Sequence, residues 1–425
     1  MPAPSASASL SEWLAYLEAL HPATIDLGLE RVVAVRDRLD MRLPFPIITV
    51  GGTNGKGSTS AMLESCLGCA GYHTGLYTSP HLLRYNERVN IGGREAADRA
   101  LIEAFRRVEA ARGDYSLTYF EFGTLAAMLM FIEARVDVAV LEVGLGGRLD
   151  AVNAFEPSCA VITSVDLDHQ NYLGNTRELI GREKAGILRA GVPAIIAEPQ
   201  PPLSVMEHAK AIGAQVYLIE RDFGYRAGGV QWEFWDWRGG RASLPLPALR
   251  GSYQLSNASA ALAALTALRG SLAVEMGAIR RGLSEVELPA RFQVLPGRPV
   301  VVLDVAHNPH AAVRLAENLL LLDGRGRRLA VFAMLKDKDI EAVIAAMRSS
   351  IDEWFIAPLT GPRGADIGTL QNAFQRADVA QPVTAFADVE RAFAAALGQA
   401  QADDKIVVFG SFYTVAGALH GKSAN

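Results

Sequence analysis

The sequence predicts an α/β protein with two domains: a larger one built on a parallel sheet that ends in a phosphate-binding loop, and a smaller second α/β domain. Three observations carry this. Residues 47–59 (Ile-Ile-Thr-Val-Gly-Gly-Thr-Asn-Gly-Lys-Gly-Ser-Thr) run from an apolar strand through a glycine-rich turn into a helical pattern. β-branched runs alternate with helical patterns from 47 to about 200, and again from about 300 to the end. Between the two blocks, Pro289, Pro296, Gly297 and Pro299 punctuate a stretch with no periodicity. The expected division is 1–293, a linker at 294–299, and 300–425.

In the first block the expected strands are 47–50, 73–78, 136–143, 160–165 and 192–197, with helices at 58–70, 98–111, 121–133 and 177–188 between them. Residues 215–247 change character. From Gln231 to Trp237 large and polar residues alternate with period two beside glycine pairs, which predicts an antiparallel ribbon. Its aromatic stripe lacks interleaved Lys or Arg, so packing explains it better than base stacking. A helix is expected at 257–268. The second block has expected strands at 300–305, 329–333, 354–357 and 405–410, each followed by a helical segment.

At 425 residues, half of them hydrophobic, the chain is long enough for two or three domains with separate cores. A net charge of −5, from 41 basic against 46 acidic residues, gives no surplus for a nucleic-acid surface. No apolar run approaches the roughly 20 residues a membrane span needs. Residues 1–9 have neither the basic cluster nor the apolar core of a secretory signal and are expected to form a disordered arm. Cys66, Cys69 and Cys159 are too few and too isolated for a disulfide framework or a zinc site. The first two fall on an apolar helix face and are expected as buried thiols. These features point to a cytoplasmic protein without nucleic-acid or membrane partners. With no heptads or apolar face left over, a monomer is expected.

A strand, a glycine turn and a helix N-terminus wrap backbone N–H groups around a polyphosphate. Lys56 can reach the outer phosphates, and the Ser58 or Thr59 hydroxyl can ligate their magnesium. A hairpin without chemistry is the alternative, but strand, lysine, hydroxyls and helix are all in register. In an open parallel sheet, ligands sit beyond the carboxyl ends of the strands. Ser79, Glu142, Asp166, Asp168 and His169 fall at such ends, and hard oxygen ligands with one imidazole suit magnesium held against phosphates. Lys184 reads at first as a solvated helix charge. Beside a metal it would repel it unless carbon dioxide converted it to an anionic carbamate.

The set of motifs resembles the bacterial bifunctional dihydrofolate synthase/folylpolyglutamate synthases of the Mur-ligase superfamily, over nearly the whole chain. It comprises His21-Pro22-Ala23-Thr24-Ile25-Asp26-Leu27-Gly28, the phosphate loop, Thr78-Ser79-Pro80-His81-Leu82, Leu117-Thr118-Tyr119-Phe120-Glu121, the stretch from Leu141 to Ala151, Asp168-His169, the stretch from Arg182 to Gly186, and Asp304-Val305-Ala306-His307-Asn308-Pro309. The resemblance implies a Mur-ligase-like N-terminal P-loop ATPase domain and a smaller Rossmann-like C-terminal domain. It also implies an ATP-dependent, magnesium-requiring ligase that adds L-glutamate to 7,8-dihydropteroate and to reduced folates through an acyl phosphate. By the resemblance, Thr53, Asn54, Gly55, Lys56, Gly57 and Ser58 hold the ATP phosphates, and Asn257, Arg291 and Asp304 contact ATP. Ser79, Glu142 and His169 ligate magnesium, and Lys184 is the carbamylated lysine. Thr24, Ile25, Asp26, Thr118, Tyr119, Phe120, Glu121, Leu149, Asp150 and Ala151 lie in segments that hold the pterin.

Two departures stand out. Ala290 occupies a place where glycine commonly precedes the arginine, and the variable length of 251–257 makes Asn257 a less secure transfer. His307 and Asn308, at the end of the second domain's first strand, are expected to position glutamate or the acyl phosphate, or else to be satisfied loop residues. Alternatives are another Mur-type amino-acid ligase, folylpolyglutamate synthesis alone, or a nucleotide switch that signals through a partner.

Overall fold

The computed structural model describes residues 3–5, 7–251, 253–322 and 326–423. They form two compact units. The first comprises the chain up to Val165, with Leu173–Ala248 and Leu255–Val286. The second comprises Asp166–Tyr172, Leu249–Gln254 and the chain from Glu287 onward.

The first unit holds an eight-stranded sheet made of β1 (Ile47–Gly51), β2 (Thr74–Tyr77), β3 (Val89–Ile91), β4 (Arg94–Glu95), β5 (Val138–Glu142), β6 (Cys159–Ile162), β7 (Pro193–Ile196) and β8 (Gln215–Leu218). Its order is β4-β3-β2-β5-β1-β6-β7-β8, with only β3 and β4 antiparallel to their neighbours. β1 lies between β5 and β6, with Val50 opposite Glu142 and Val161. Every residue of β1, β5 and β6 is buried, which explains why these runs are continuously apolar rather than alternating.

The helices here are α1 (Leu10–Leu20), α2 (Glu30–Arg38), α3 (Lys56–Cys69), α4 (Asp98–Arg112), α5 (Tyr119–Ala134), α7 (Arg177–Ala185), α8 (Leu203–Ile212), α9 (Tyr253–Ala267) from Leu255 onward and α10 (Met276–Glu285), while the short α6 (Gln170–Leu173) belongs to the second unit up to Tyr172. Residues of α1, α2, α4 and α5 form one core cluster with β1 and β5, including Trp13, Phe105, Phe122 and Phe131. A separate cluster joins α7 and α8 to β6 and β7. The register puts the strand residues of both clusters on one face of the sheet, and the alternate residues Ile48, Val50, Val140, Val161 and Ile195 are buried as well, so both faces are covered, as parallel sheets require.

The expected ribbon is a three-stranded antiparallel sheet of β9 (Gly224–Ala227), β10 (Gln231–Trp235) and β11 (Arg241–Pro245). Trp232 and Phe234 are buried, so the period-two stripe is packing. Trp237 lies beyond the strand and stacks on Tyr217 with ring centroids 3.8 Å apart.

The second unit carries a six-stranded sheet of β12 (Gln293–Leu295), β13 (Val300–Leu303), β14 (Arg328–Phe332), β15 (Glu353–Ile356), β16 (Val383–Ala385) and β17 (Lys405–Phe409), in the order β12-β13-β17-β14-β15-β16. Its helices are α11 (Pro309–Leu320), α12 (Ile340–Met347), α13 (Ile367–Arg376), α14 (Val389–Gln399) and α15 (Phe412–Ser423). β12 is antiparallel to β13 and the remaining pairs are parallel. Part of the stretch expected as linker is thus an edge strand, and the compact units divide ahead of it, at Val286 and Glu287. Three residues are too few for period-two reading to detect.

Two sequence expectations change. The arm over residues 1–9 lies partly outside the described residues, but Ala8 is buried and Ser9 caps α1. The Ser9 N–H donates to Glu12 Oε2 at 2.7 Å and the Glu12 N–H to Ser9 Oγ at 3.3 Å, a reciprocal capping box. Cys66 is buried, whereas Cys69, in the last turn of α3, is half-buried with Sγ 3.7 Å from Glu285 Oε2. Among the described residues no helix is long and apolar enough to cross a membrane.

Candidate active site

β1 ends at Gly51 and α3 begins at Lys56, so residues 52–55 are the turn that presents the helix N-terminus. Gly55 is left-handed, with φ 86°, and a Cβ there would collide with Asn257 Oδ1. A Cβ on Gly52 would strike Thr163 Oγ1. The turn therefore needs glycine twice, for conformation and for space.

Lys56 Nζ folds back to donate to the Gly52 and Thr53 carbonyls at 3.1 and 3.2 Å. Residues just past β6 brace the loop. Thr53 N–H donates to Ser164 O at 2.8 Å and Asn54 N–H to Ser164 Oγ at 3.0 Å, while Thr163 Oγ1 donates to Asn54 O at 2.7 Å. Thr59 Oγ1 and Ser60 Oγ, in the first turns of α3, are buried without hydrogen-bond partners. A glycine cradle, a lysine on its rim and a helix N-terminus fit a bound polyphosphate. Thr163 and Ser164 were not singled out from sequence, although they follow β6 at the carboxyl edge where the other candidates were sought.

Glu142 closes β5, is buried, and accepts the Ser79 N–H through Oε2 at 3.1 Å. β2 and β5 are neighbours, so the structure brings these two expected metal ligands together. Lys184 is buried near the end of α7, where the adjacent Glu183 carbonyl takes the Arg148 N–H at 2.8 Å. Asn257 is buried against the loop at Gly55. His169 belongs to the second unit. It has a left-handed backbone, with φ 51°, and its Nε2 lies 3.3 Å from Lys338 Nζ. Among the described residues no group of three or more His, Cys, Asp or Glu side chains is placed to hold a metal.

The segments expected to hold a pterin lie in the first unit. Thr118 caps α5 with Glu121 in a second reciprocal box. Tyr119 packs edge-on against Tyr85 with ring centroids 5.6 Å apart, and Phe120 packs against Tyr77 at 5.7 Å with the rings tilted by 32°. Arg88 lies over the Tyr85 and Tyr119 rings and donates to His81 Nδ1 at 2.8 Å. Burial, and then the Arg88 charge, push His81 down to about 4. Thr24 and Asp26 are exposed and Ile25 is half-buried. Leu149 is half-buried, Ala151 buried, and Asp150 accepts the Leu145 and Val152 N–H groups at 2.8 and 3.0 Å.

Burial pushes Asp150 up to about 7, against the opposing pull of those donors, the Gly144 N–H and Lys56. A carboxyl raised in the fold stabilises it below its ordinary value of about 4, and that contribution is lost as pH rises to about 7. We therefore expect the melting temperature of the wild type to fall relative to Asp150→Asn between pH 4 and pH 7. The variant's altered hydrogen bonds add a pH-independent offset, so a gap that stays constant across this range would refute the assignment.

In the second unit Asp304 follows β13 and accepts the Phe292 and Ala306 N–H groups at 2.8 and 2.7 Å. Burial pushes its carboxyl up, opposed chiefly by Arg291, whose guanidinium lies 4.9 Å from the Phe412 ring centre. Ala290 and Phe292 are both left-handed, with φ 60° and 45°. Alanine thus holds a conformation glycine would adopt at lower cost, by roughly 1–2 kcal/mol.

Asp168 gathers the remaining polar groups. Lys338 Nζ lies 2.5 Å from Oδ1, Asn308 Nδ2 donates to Oδ2 at 3.1 Å, and His307 Nε2 lies 3.6 Å from Oδ2. The other ring nitrogen of His307 meets Val305 O at 2.8 Å, and Asn308 also caps α11 by accepting the Ala311 N–H. Burial alone would raise Asp168, but His307, His169 and Lys338 hold it far below the usual carboxylate range. Lys338 stands in a run of alternating lysines and aspartates that reads as a solvated turn, yet its side chain is 5% exposed. Removing one partner of a buried pair strands the other charge. Lys338→Met should lower stability by about 3–5 kcal/mol, with Lys338→Met/Asp168→Asn recovering much of the loss. A single variant that unfolds at the wild-type urea midpoint would contradict this.

Residues 50–265 match the Mur ligase middle domain and residues 290–412 the Mur ligase glutamate ligase domain. The dihydrofolate synthase/folylpolyglutamate synthase of Escherichia coli K12 is 47% identical over 97% of this chain and 95% of its own length. The Haemophilus influenzae protein of the same name is 40% identical over 97% of each. Among solved structures, E. coli FolC in complex with DHPP and ADP superposes with a TM-score of 0.93, at 46% identity over 99% of each chain. A bifunctional folylpolyglutamate synthase/dihydrofolate synthase with Mn, AMPPNP and L-glutamate bound superposes with a TM-score of 0.92, at 45% identity over 99% of this chain and 100% of its own. The chain belongs to the Mur ligase family, among its dihydrofolate synthase/folylpolyglutamate synthases.

Proposed function

We propose that this chain is an ATP-dependent ligase that joins L-glutamate to 7,8-dihydropteroate and, in a second activity, extends the glutamate tail of reduced folates. The observation that carries the reading is the glycine loop, rimmed by Lys56 and closed by Asn257 at Gly55, in a member of this family. A carboxylate is a poor electrophile because its leaving group would be oxide. Transfer of the ATP γ-phosphoryl group to the carboxylate oxygen gives an acyl phosphate and ADP. The α-amine of glutamate then attacks the acyl carbon, inorganic phosphate leaves, and the amine proton passes to solvent. Such chemistry needs positioning and charge neutralisation rather than a protein nucleophile.

In this reading residues 53–58, Asn257, Arg291 and Asp304 contact the nucleotide. Ser79, Glu142 and His169 would hold magnesium, which would supply charge neutralisation at the phosphates. Thr24–Asp26, Thr118–Glu121 and Leu149–Ala151 receive the pterin, and His307 with Asn308 positions glutamate or the acyl phosphate. A cytoplasmic monomer suits this role.

Lys184 carries a carbamate in this reading: its ammonium gives one proton to solvent, the neutral Nζ adds to the carbon of carbon dioxide and a second proton leaves, so a buried cation becomes an anion. In 13C-bicarbonate, one carbamate resonance is expected that disappears in Lys184→Ala; wild-type protein without it would refute the modification. The activity itself is tested with purified protein, ATP, magnesium, L-glutamate and dihydropteroate. Dihydrofolate and phosphate should form in equal amounts. No phosphate release with dihydropteroate would overturn the reading, and turnover of a tetrahydrofolate substrate alone would reduce it to folylpolyglutamate synthesis.

A further inference from the structure

Arg31, the second residue of α2, makes a junction that neither the motif set nor the family assignment identifies. Its Nη1 donates to Asp26 Oδ2 at 2.7 Å and its Nη2 to the Asp26 carbonyl at 2.9 Å. Its Nε donates to Glu121 Oε1 at 3.2 Å, and Nη2 lies 3.1 Å from the same oxygen. Glu121 is already engaged, since its Oε2 accepts the Thr118 N–H at 2.7 Å in the cap of α5. One planar guanidinium therefore ties an irregular loop to a helix N-terminus.

The loop is irregular, with Leu29 packed against the core. Residues 22–29 contain neither helix nor strand, and Thr24 and Asp26 are exposed. His21 contributes a second brace, with Nε2 3.1 Å from Asp26 Oδ2 and Nδ1 3.0 Å from the Ser116 carbonyl. Asp26 Oδ2 is thus taken by Arg31 and His21, while Oδ1 has no hydrogen bond among the described residues. The result is a half-exposed carboxylate with one oxygen committed to Arg31 and His21, in the same unit as the half-buried rings of Tyr119 and Phe120. Flat apolar faces and an oriented acceptor suit a planar heterocycle with an N–H-rich edge.

The geometry points to Arg31 as a positioning residue for dihydropteroate: it fixes Asp26 relative to the Thr118–Glu121 segment and so tunes affinity for that substrate without touching the reacting atoms. This rests on the pterin reading given under Proposed function. The fork geometry is essential. Lysine keeps the charge, but as a point donor it cannot hold two carboxylates and a carbonyl in one plane.

The test compares steady-state kinetics of wild type, Arg31→Met and Arg31→Lys in the dihydropteroate reaction, with dihydropteroate binding measured separately by calorimetry without ATP. Arg31→Met should raise the dihydropteroate KM and Kd on the order of ten-fold while the KM for ATP and for L-glutamate stays within about two-fold. Arg31→Lys should resemble the methionine variant. An unchanged dihydropteroate KM, a parallel rise in all three KM values, or full recovery by lysine would each overturn the proposal. If Arg31→Met does not fold, Asp26→Asn must show the same selective KM rise, and its failure to do so would be decisive against it. Wild-type protein that does not turn over dihydropteroate would instead refute the functional reading beneath.

Discussion

Lys56→Ala should lower kcat/KM on the order of 10²–10³-fold, with dihydropteroate and with reduced folates alike. The two activities share one phosphoryl transfer and differ only in the acid that receives it, so a residue acting on the phosphates cannot separate them. Lys56 Nζ rests on the Gly52 and Thr53 carbonyls, on the rim of the glycine turn. Those contacts are weak enough to exchange for phosphate oxygens and strong enough to keep the amine at the loop. Lys56→Arg should not restore activity, because the larger planar group does not reproduce a point donor on a four-carbon stem. The prediction is checked by phosphate release with each acid in turn. A variant that keeps more than a tenth of wild-type kcat/KM, or loses one activity and keeps the other, would remove Lys56 from the transfer step.

Glu142→Gln should weaken divalent-metal binding on the order of 10–100-fold and lower ligase activity in step. The substitution is nearly isosteric. Its amide oxygen can still accept the Ser79 N–H that Glu142 Oε2 takes at 3.1 Å. What disappears is a buried negative charge at the end of β5. Mn2+ titration followed by electron paramagnetic resonance, with an ATP analogue present, reads the loss independently of turnover. Equal Mn2+ affinity in the two proteins would show that Glu142 serves the sheet edge and not a metal.

The strands and helices at the centre of each sheet were legible because burial on both faces leaves an unambiguous apolar run, as in β1, β5 and β17, where every residue is buried. Short elements at or near the sheet edges were not. β3, β4, β12 and β16 have two or three residues each, too few to show a period, and they exist because a neighbouring strand offers a ladder. The same distinction runs through the site. Lys56 and Glu142 stand out because their chemistry conflicts with the apolar strands they border. Arg31 and Lys338 do not, since charges on helices and turns are ordinarily solvated, and nothing local says that Asp26, Glu121 or Asp168 will fold against them.

The sequence by itself determined the phosphate loop, the order of strands and helices that frames it, and the family to which the chain belongs. Each depends on residues close together along the chain, where spacing and periodicity act directly. Only the tertiary structure decided that Asn257 closes on Gly55, that Thr163 and Ser164 brace the loop, and that Arg31 joins two separate segments. The physical reason is that a buried polar contact is fixed by which surfaces the hydrophobic cores press together, and partners about 90 to 200 residues apart leave no local trace of that choice.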